Sequence, residues 1–461
     1  MVPMPHADQT DVDQSPTERP DLERRAVPAE LGLPRRARLV AATIAGRAAA
    51  TASKLARRGS GASIRGQVMM KIDPEAMGKL LQGRRIAMVS GTNGKTTTTH
   101  LLAAAVRSGL GPDRDRLVTN ADGANLHNGI ASALSDAPKA DLAVLETDER
   151  VVADVLRLGS PEVLVLLNFS RDQLDRHHEI KSLARSWLTA LTDAGEDAPV
   201  VVANADEPLI VWAARKAPHV VWVGTQSLWN QDSALCPECG AGLARTQPDP
   251  DAGTAGDWHC TGCDLRRPTP TWSVDGDTIV DPRQTTWQPK LNVPGSFNVS
   301  NAALALAAAE QFGVPPGTAI RGMRKVTSPA GRFAVATFGD TRARLLLAKN
   351  PAGWAEALPV TNTRTVVLAI DSVAADGKDV SWLWDVDFEQ LRGRTVIASG
   401  PRAHDLGVRL LYAEVEHHSE PDLAKALALA GQNRADDDAT PIDVLATYTP
   451  FQKLRKMGGL A

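Results

Sequence analysis

One stretch of this chain, residues 88–100 (MVSGTNGKTTTTH), restricts its fold more than any other. An apolar run at 86–89 leads into it, and apolar residues at helical spacing follow at 101, 102, 105 and 106. A strand, a glycine-rich loop and a helix in this order form an anion site, because the N–H groups of the loop and of the helix N-terminus point at the ligand. The stretch therefore predicts a phosphate-binding loop.

The residue types in this loop indicate a nucleoside triphosphate. In such loops a lysine reaches the β- and γ-phosphates and a hydroxyl group ligates Mg²⁺, roles that fall here to Lys95 and Thr96. The loop is shorter than the complete G-x-x-x-x-G-K-[ST] pattern; the alternative is an ordinary glycine-rich turn, which the flanking strand and helix disfavour. The nucleotide-binding residues expected here are Gly91, Thr92, Asn93, Gly94, Lys95, Thr96 and Thr97.

Length and composition restrict the class of protein. The chain has 461 residues, enough for two or three domains, and its net charge of −3 provides no overall field that favours nucleic acid. No apolar run approaches the roughly 18 residues of a membrane span, and the start of the chain lacks the apolar segment of a secretory signal. We therefore expect a cytoplasmic α/β protein without a transmembrane segment.

The N-terminal region divides into two parts. Residues 1–34 are rich in Pro, Asp, Glu and Gln, so we expect a disordered tail. Residues 35–75 form a basic, alanine-rich, helix-prone segment, and no acidic residue occurs between 31 and 72. One interpretation is a helix near an anionic membrane surface. The other, which we favour because the apolar face is mostly alanine, is a solvated helix packed on the core.

Strand and helix patterns alternate after the loop. Strands are expected at 141–145, 163–167, 200–202 and 220–223, and the first two end in Glu146 and Asn168. Such alternation predicts a doubly wound, mostly parallel sheet, whose ligands bind at the carboxyl ends of the strands. Since the phosphate loop also follows a strand, we expect Glu146 and Asn168 to lie near it.

Two C-x-x-C pairs, separated by twenty residues, predict a closed four-thiolate zinc ribbon inserted at about 231–270. Its ligands are Cys236, Cys239, Cys260 and Cys263. The segment lacks the cluster of basic and aromatic residues that binds nucleic acid, so we expect a structural role and no nucleic-acid partner. Because these are the only four cysteines, the chain has no thiol left for nucleophilic catalysis.

A second alternating set follows Gly331-Arg332-Phe333. Strands are expected at 344–348, 365–370, 395–398 and 444–446, and helices at 406–412 and 423–429. This pattern predicts a smaller, Rossmann-like α/β domain over 331–461. Between its strands, the run at 376–387 places tryptophans beside carboxylates, which is unusual for a simple connection.

The motifs taken together resemble the Mur ligase family. They are GTNGKTTTT, Glu146, NFSRDQLDR (168–176), NADEP (204–208), LNVPGSFNVSN (291–301) and GRF (331–333), in the family's order. The resemblance implies a P-loop ATPase, the Mur ligase central domain, over 76–330. It also implies a reaction in which ATP converts a carboxylate into an acyl phosphate that an amine attacks.

Within that family, the four-cysteine insertion, KNPAG (349–353) and DGKDVSWLWDVDFE (376–389) resemble the MurT-type subunits of lipid II isoglutaminyl synthase. Those subunits pair with GatD, a separate glutaminase. The resemblance implies amidation of the α-carboxylate of D-glutamate in lipid II at the inner face of the plasma membrane, with ammonia from the partner. The alternatives are another Mur-type ligase, such as a folylpolyglutamate synthase, or a nucleotide-dependent zinc-ribbon binding module.

The resemblance also assigns residues. It implies that Lys95 binds the phosphates and that Thr96 and Glu146 hold Mg²⁺. It also implies that Asn298 contacts the adenine and that Arg332 reaches the phosphates from the domain boundary. The sequence departs from the family at two positions of a second metal site. Gln173 replaces the usual histidine, and Trp187 and Leu188 stand where many members carry a carbamylated lysine.

The resemblance implies that an aspartate of the C-terminal domain approaches the histidine of the glutaminase. We assign this role to Asp385, with Asp376, Asp379 and Asp387 as poorer candidates. The alternative is that Asp385 merely caps a turn or helix. We further expect Trp382 and Trp384 to form an apolar seat at the interface.

Overall fold

The computed structural model describes residues 22, 31–55, 62–120, 124–170, 180–226, 231–246, 256–327, 333–373, 376–432 and 440–460. Two sheets organise these residues, a nine-stranded one before residue 290 and a six-stranded one after residue 330. The mostly parallel α/β class predicted from the alternating pattern is confirmed. Arg332 and Gln173, both singled out in the sequence, lie outside the described residues, as does nearly all of the expected N-terminal tail.

The central sheet has the order β11-β10-β9-β6-β5-β4-β1-β3-β2. In this order, every neighbouring pair of strands from β9 across to β2 is parallel. Its strands are β1 (Arg85–Ser90), β2 (Leu117–Thr119), β3 (Leu142–Glu146), β4 (Val163–Leu166), β5 (Val200–Asn204), β6 (Val220–Gly224), β9 (Trp272–Asp275), β10 (Thr278–Val280) and β11 (Thr286–Trp287). The chain adds β2 and β3 on one side of β1 and β4 on the other. The strand order therefore reverses at β1, where ligands of such sheets bind.

Helices cover both faces of this sheet, which explains why its central strands are continuously apolar. In β1, Ile86 and Met88 belong to one core, whereas Ala87 and Val89 belong to the other. The second core is closed by α4 (Lys95–Leu110), α9 (Phe297–Gln311) and α10 (Pro316–Met323). The first is closed mainly by α3 (Ala76–Leu81), α5 (His127–Asp136), α6 (Val152–Gly159), α7 (Ile180–Ala194) and α8 (Pro208–Ala214).

Two further helices precede α3. They are α1 (Leu33–Leu55) and α2 (Ala62–Ile72). Helix α1 packs on α2, and α2 packs on α5, so both are attached to the first face of the central sheet. Among the described residues, no helix combines the length and the apolarity that crossing a bilayer requires.

The four-cysteine segment forms a small hairpin of its own, β7 (Leu243–Thr246) paired with β8 (Asp257–Cys260). It is attached to the central domain through Trp258, which is buried and donates from Nε1 to the Ala205 carbonyl at 3.1 Å. Glu238 of the segment makes a second attachment, because it accepts from Trp212 Nε1 at 2.6 Å and pairs with Arg215 at 2.8 Å. The segment is therefore an insertion that packs on α8 and on the end of β5.

The C-terminal sheet has the order β12-β13-β17-β14-β15-β16, with only β12 antiparallel to its neighbour. Its strands are β12 (Phe333–Phe338), β13 (Thr341–Leu347), β14 (Thr365–Ala369), β15 (Thr395–Ser399), β16 (His417–Glu420) and β17 (Ile442–Ala446). Its helices are α11 (Pro351–Ala357), α12 (Ala403–Tyr412), α13 (Leu423–Gln432) and α14 (Tyr448–Met457). The strand pattern did not predict β2, β12, β16 or the antiparallel extension β9–β11, which are short or partly exposed.

Candidate functional site

The phosphate loop has the backbone shape that its glycines permit. Gly91 has φ 141° and Gly94 has φ 83°, conformations that residues with a Cβ rarely adopt. Helix α4 begins at Lys95 with Gly94 as its N-cap, and Gly94 has no side chain that could cap the helix. The N-terminus of α4 therefore follows the loop directly, in the arrangement that favours an anion, as the glycine spacing predicts.

A second strand end holds the loop in place. The Asn93 N–H donates to Asn168 Oδ1 at 2.9 Å, and Asn168 Nδ2 donates back to the Asn93 carbonyl at 3.2 Å. The Thr92 N–H donates to the Asn168 carbonyl at 2.9 Å, and the Ser170 N–H donates to Thr92 Oγ1 at 3.1 Å. Asn168, expected near the loop, thus acts as its support.

Lys95 is buried at the base of the loop. Its ammonium pairs with Glu149 Oε1 at 3.1 Å and donates to the carbonyls of Gly91 and Thr92. Trp187 Nε1 in turn donates to the Glu149 carbonyl at 2.8 Å. The charge of Lys95 is therefore held by a carboxylate and the loop itself, and a γ-phosphate would compete with these partners.

Glu146 ends β3 opposite Val89 of the strand that leads into the loop. Its side chain is 1% exposed; Oε1 accepts from Asn125 Nδ2 at 2.9 Å, whereas Oε2 has no hydrogen-bond partner among the described residues. Asn120 fixes the backbone, since it accepts from the Glu146 N–H and donates to the Glu146 carbonyl, each at 2.8 Å. A buried carboxylate oxygen without a donor is costly unless a cation faces it, so this position suits a metal ion.

Asn298 lies beside the phosphate loop, at the start of α9. It lines a cavity of about 100 Å³ together with Asn93, Gly94 and Thr97. Its amide donates to the Pro294 carbonyl and accepts from Asn301 Nδ2 at 3.0 Å. Asn301 also packs tightly on the loop, because a Cβ on Gly94 would lie 2.6 Å from Asn301 Oδ1.

A larger cavity of about 480 Å³ adjoins this one and shares Phe297, Asn301 and Glu356 with it. Its floor includes the strand-end residues Asn168 and Asn204. The two cavities form one cleft between the central and C-terminal domains, of a size usual for small-molecule sites.

The C-terminal domain contributes residues to this cleft that sequence reasoning did not single out. Asn350 caps α11 by accepting from the Gly353 N–H at 2.9 Å, and its Nδ2 donates to Asn93 Oδ1 at 3.2 Å. Glu356 of the same helix has no hydrogen-bond partner among the described residues, and burial raises its pKa to about 7. The sequence signal was the KNPAG run, which includes Asn350 and places a capped helix directly after β13; Glu356 lies on the same helix, three residues beyond the run.

The region of the second metal site shows how the sequence departs from the family. Trp187 is fully buried and lies against Phe169, with ring centroids 4.4 Å apart. A bulky indole therefore occupies the position where the resemblance would place a carbamylated lysine.

The four cysteines form one cluster. Their sulfurs all lie within 4.8 Å of one another, with Cys236 and Cys263 at 3.6 Å and Cys239 and Cys260 at 3.4 Å. Tetrahedral coordination with Zn–S bonds of about 2.3 Å requires sulfurs about 3.8 Å apart, so the donor set fits such an ion. The Gly262 N–H donates to Cys260 Sγ at 3.3 Å, which suits a thiolate.

The candidate aspartates of the C-terminal domain differ in their surroundings. Asp385 is half-buried at the end of a short 3-10 helix, Ser381–Asp385, which packs on α11 and α12. Asp376 is 1% exposed; Oδ1 accepts from the Thr449 N–H at 2.8 Å, and Oδ2 has no partner among the described residues. Asp379 precedes the 3-10 helix and accepts from the N–H of its first residue, Ser381, at 2.8 Å.

The expectation that both tryptophans form an exposed seat is wrong for Trp382. That side chain is 3% exposed and packs in the core with Trp354, at 6.0 Å between ring centroids. Trp384 is 55% exposed and meets Tyr412 edge-to-face at 5.3 Å, with Arg409 over its ring. Only Trp384 is placed to contact another molecule.

Comparison with known proteins agrees with this arrangement. The family model of the Mur ligase middle domain matches residues 89–235, and that of the MurT ligase C-terminal domain matches residues 347–451. The Staphylococcus aureus (strain N315) protein named lipid II isoglutaminyl synthase (glutamine-hydrolyzing) subunit MurT is 31% identical over 405 residues, which cover 82% of this chain and 90% of the relative. The subunit of the same name from Streptococcus pneumoniae is 27% identical, covering 87% and 93%.

Among solved structures, a pseudomurein peptide ligase type C from Methanothermus fervidus superimposes with a TM-score of 0.59. The match covers 82% of this chain and 80% of that one at 18% identity, which establishes a shared fold. Fold, family models and a full-length relative thus lead to one assignment. The chain belongs to the Mur ligase family of ATP-dependent ligases, and within it to the MurT type.

Proposed function

We propose that this chain is the synthetase subunit of a lipid II isoglutaminyl synthase, which amidates the α-carboxylate of D-glutamate in the lipid II stem peptide at the inner face of the plasma membrane. The observation that carries the proposal is the buried carboxylate of Glu146 beside the phosphate loop of a MurT-type chain, with one oxygen that no described residue contacts by a hydrogen bond. The S. aureus and S. pneumoniae relatives bear the name of this activity.

In this proposal ATP occupies the interdomain cleft. Residues Gly91 to Thr97 receive the phosphates, Asn298 faces the adenine, and Arg332 reaches the phosphates from the domain boundary. Thr96 and Glu146 would hold Mg²⁺, which neutralises phosphate charge when bound. The D-glutamate carboxylate attacks the γ-phosphorus and ADP leaves. Ammonia then attacks the acyl carbon, phosphate leaves, and a proton is lost to give the amide.

Charge neutralisation is the main contribution that this chain can make, because a carboxylate and a triphosphate repel each other. Lys95 leaves Glu149 and the loop carbonyls to meet the γ-phosphate. The unpartnered oxygen of Glu146 supports the metal position, and the burial of this residue strengthens any charge interaction there. The four cysteines would hold one Zn²⁺ in a closed, structural site, since all four positions are protein ligands.

The test uses lipid II, ATP, Mg²⁺ and glutamine with the co-purified glutaminase, and mass spectrometry detects the amide. We expect Lys95→Ala and Glu146→Ala each to lower the amidation rate on the order of 10²–10³-fold. Lys139→Ala, a change at an exposed lysine, is the control and should leave the rate unchanged. Near-normal turnover of either active-site variant, or no amidation by the wild-type complex, would overturn the proposal.

The ammonia would come from a GatD-type glutaminase, because this chain places its four cysteines in one cluster. A glutaminase cysteine needs an imidazole, and that imidazole needs a group to orient it. We assign this orienting role to Asp385, beside the exposed Trp384. The support is its position near the aromatic pair of Trp384 and Tyr412, because aromatic side chains anchor contacts at protein interfaces.

Two sources of ammonia separate this role from a structural one. Asp385→Asn should sharply lower glutamine-driven amidation while amidation from high ammonium salt persists and the complex still assembles. Asp376→Asn is measured in parallel, because Asp376 Oδ2 has no hydrogen-bond partner among the described residues. If Asp376→Asn rather than Asp385→Asn separates the two ammonia sources, the assignment of Asp385 is wrong.

A further inference from the structure

Helix α1 presents a row of large apolar side chains to solvent. Leu33, Val40, Ile44 and Leu55 are 84%, 50%, 63% and 82% exposed. On a helix that turns by about 100° per residue, these four positions fall within about 60° of one another. We call these four side chains the outer row of α1.

The outer row is not the face that attaches α1 to the protein. Ala42 and Ser53 are buried and lie on the opposite side of the helix, and Ala50 is buried on its flank. Helix α1 packs on α2. Gly46 approaches α2 so closely that a Cβ would lie 2.8 Å from the Arg65 carbonyl oxygen. The inner face therefore packs mainly through small residues, together with Leu39, and the four side chains of the outer row take no part in this packing.

The charge around the outer row has one sign. Residues 31–72 contain nine basic residues and no acidic one. The carboxylates that face this segment from neighbouring elements are Glu75, which pairs with Arg35, and Asp136, which pairs with Arg65. Arg36, by contrast, is exposed beside the outer row and has no acidic partner among the described residues.

We propose that the outer row of α1 docks on the surface of an anionic phospholipid bilayer. A helix with apolar residues on one face and basic residues beside it lies in the headgroup region, where apolar burial and attraction to anionic lipid add. A protein partner would equally cover the apolar row, but the absence of any acidic residue over 31–72 favours a uniformly anionic surface. The docking itself does not depend on the proposed function. Only its purpose, which is to bring the cleft to a lipid-linked substrate, rests on that function.

Vesicle flotation of the full chain tests the docking without ATP or substrate. Wild-type protein should float with vesicles of phosphatidylglycerol and phosphatidylcholine, and much less with phosphatidylcholine alone. The double variant Val40→Glu/Ile44→Glu should lower the partition coefficient by about tenfold or more, because two charges enter the apolar row. The matched control, Val408→Glu/Leu411→Glu, alters side chains of similar exposure, 51% and 67%, on α12 and should float like wild type.

Circular dichroism would verify that both variants fold. The proposal is overturned if wild-type protein ignores anionic vesicles, if the α1 variant floats normally, or if both double variants lose binding equally. Loss of co-purification with the glutaminase in the α1 variant, without vesicle binding by wild type, would identify a protein-docking face instead.

A second measurement separates this inference from the proposed function. The α1 variant should amidate a muramyl peptide without the lipid at the wild-type rate, but lipid II in anionic vesicles about tenfold more slowly. Equal rates on both substrates would refute the docking role. Failure of wild type on both would instead refute the amidation itself, while the flotation result would stand.

Discussion

Replacing Gly91 by alanine tests whether the phosphate loop has its shape because of tight packing or only because of a permissive backbone. Gly91 has φ 141°, and an added Cβ would lie 2.8 Å from Leu167 Cβ, 2.9 Å from the Asn168 nitrogen and 3.0 Å from the Asn168 oxygen. Two of these atoms are backbone, and the Asn168 oxygen accepts from the Thr92 N–H at 2.9 Å. They cannot move aside without breaking the support of the loop.

The cost has two parts. A strained backbone conformation costs about 1–3 kcal/mol, and overpacking adds typically about 1–3 kcal/mol. Alanine recovers about 0.4–1 kcal/mol through the lower entropy of the unfolded chain. We therefore expect Gly91→Ala to lose about 1–6 kcal/mol, either as lower stability of the central domain or as a deformed loop that no longer binds nucleotide.

Gly111→Ala is the matched control. Gly111 also has a positive φ, 56°, but an added Cβ would meet nothing within 4 Å. Its backbone, with ψ −116°, is also strained for a residue with a Cβ, so we expect it to lose only the strain cost of about 1–3 kcal/mol, less the entropy gain, and to bind nucleotide normally. Thermal unfolding and titration with a fluorescent ATP analogue measure both effects. If Gly91→Ala is no less stable than Gly111→Ala and binds the analogue as wild type does, the packing argument is refuted.

Three further outcomes are expected. Cys260→Ser should abolish binding of the one Zn²⁺ that we propose for the four cysteines and should lower stability more than turnover; zinc-free wild-type protein by elemental analysis would exclude the site. Burial raises the pKa of Glu207 from 4.5 to about 8, so the folded chain keeps a proton that the unfolded chain releases. As the pH rises between those two values, the stability of wild type should therefore fall relative to that of Glu207→Gln. A difference in melting temperature that stays constant over this pH range would contradict this. Trp382→Ala should cost about 3–5 kcal/mol in chemical denaturation, and Trp384→Ala far less.

The sequence alone was enough for the features that depend on short stretches of chain. Strand β1, the loop at Gly91 and helix α4 are contiguous, and their glycines and apolar spacing define a local geometry. The two C-x-x-C pairs are local knuckles as well, and they come together as expected. The position of Glu146 beside the strand that leads into the loop also agrees with expectation, because residues at the ends of neighbouring parallel strands meet at one edge of the sheet.

Tertiary structure decided the features that depend on which surfaces meet. Trp382 and Trp384 are two residues apart, yet one packs against Trp354 and the other is exposed, because only one side of a 3-10 helix faces the core. Glu356 and Asn350 reach the phosphate loop only because the C-terminal domain packs on it. Likewise, alanines in α1 suggested a helix that simply packs inward, and only the packing of Gly46 on α2 reveals that the outer row points away from the core. Sequence periodicity shows which residues share a face of a helix or strand, but distant parts of the chain determine what packs against that face.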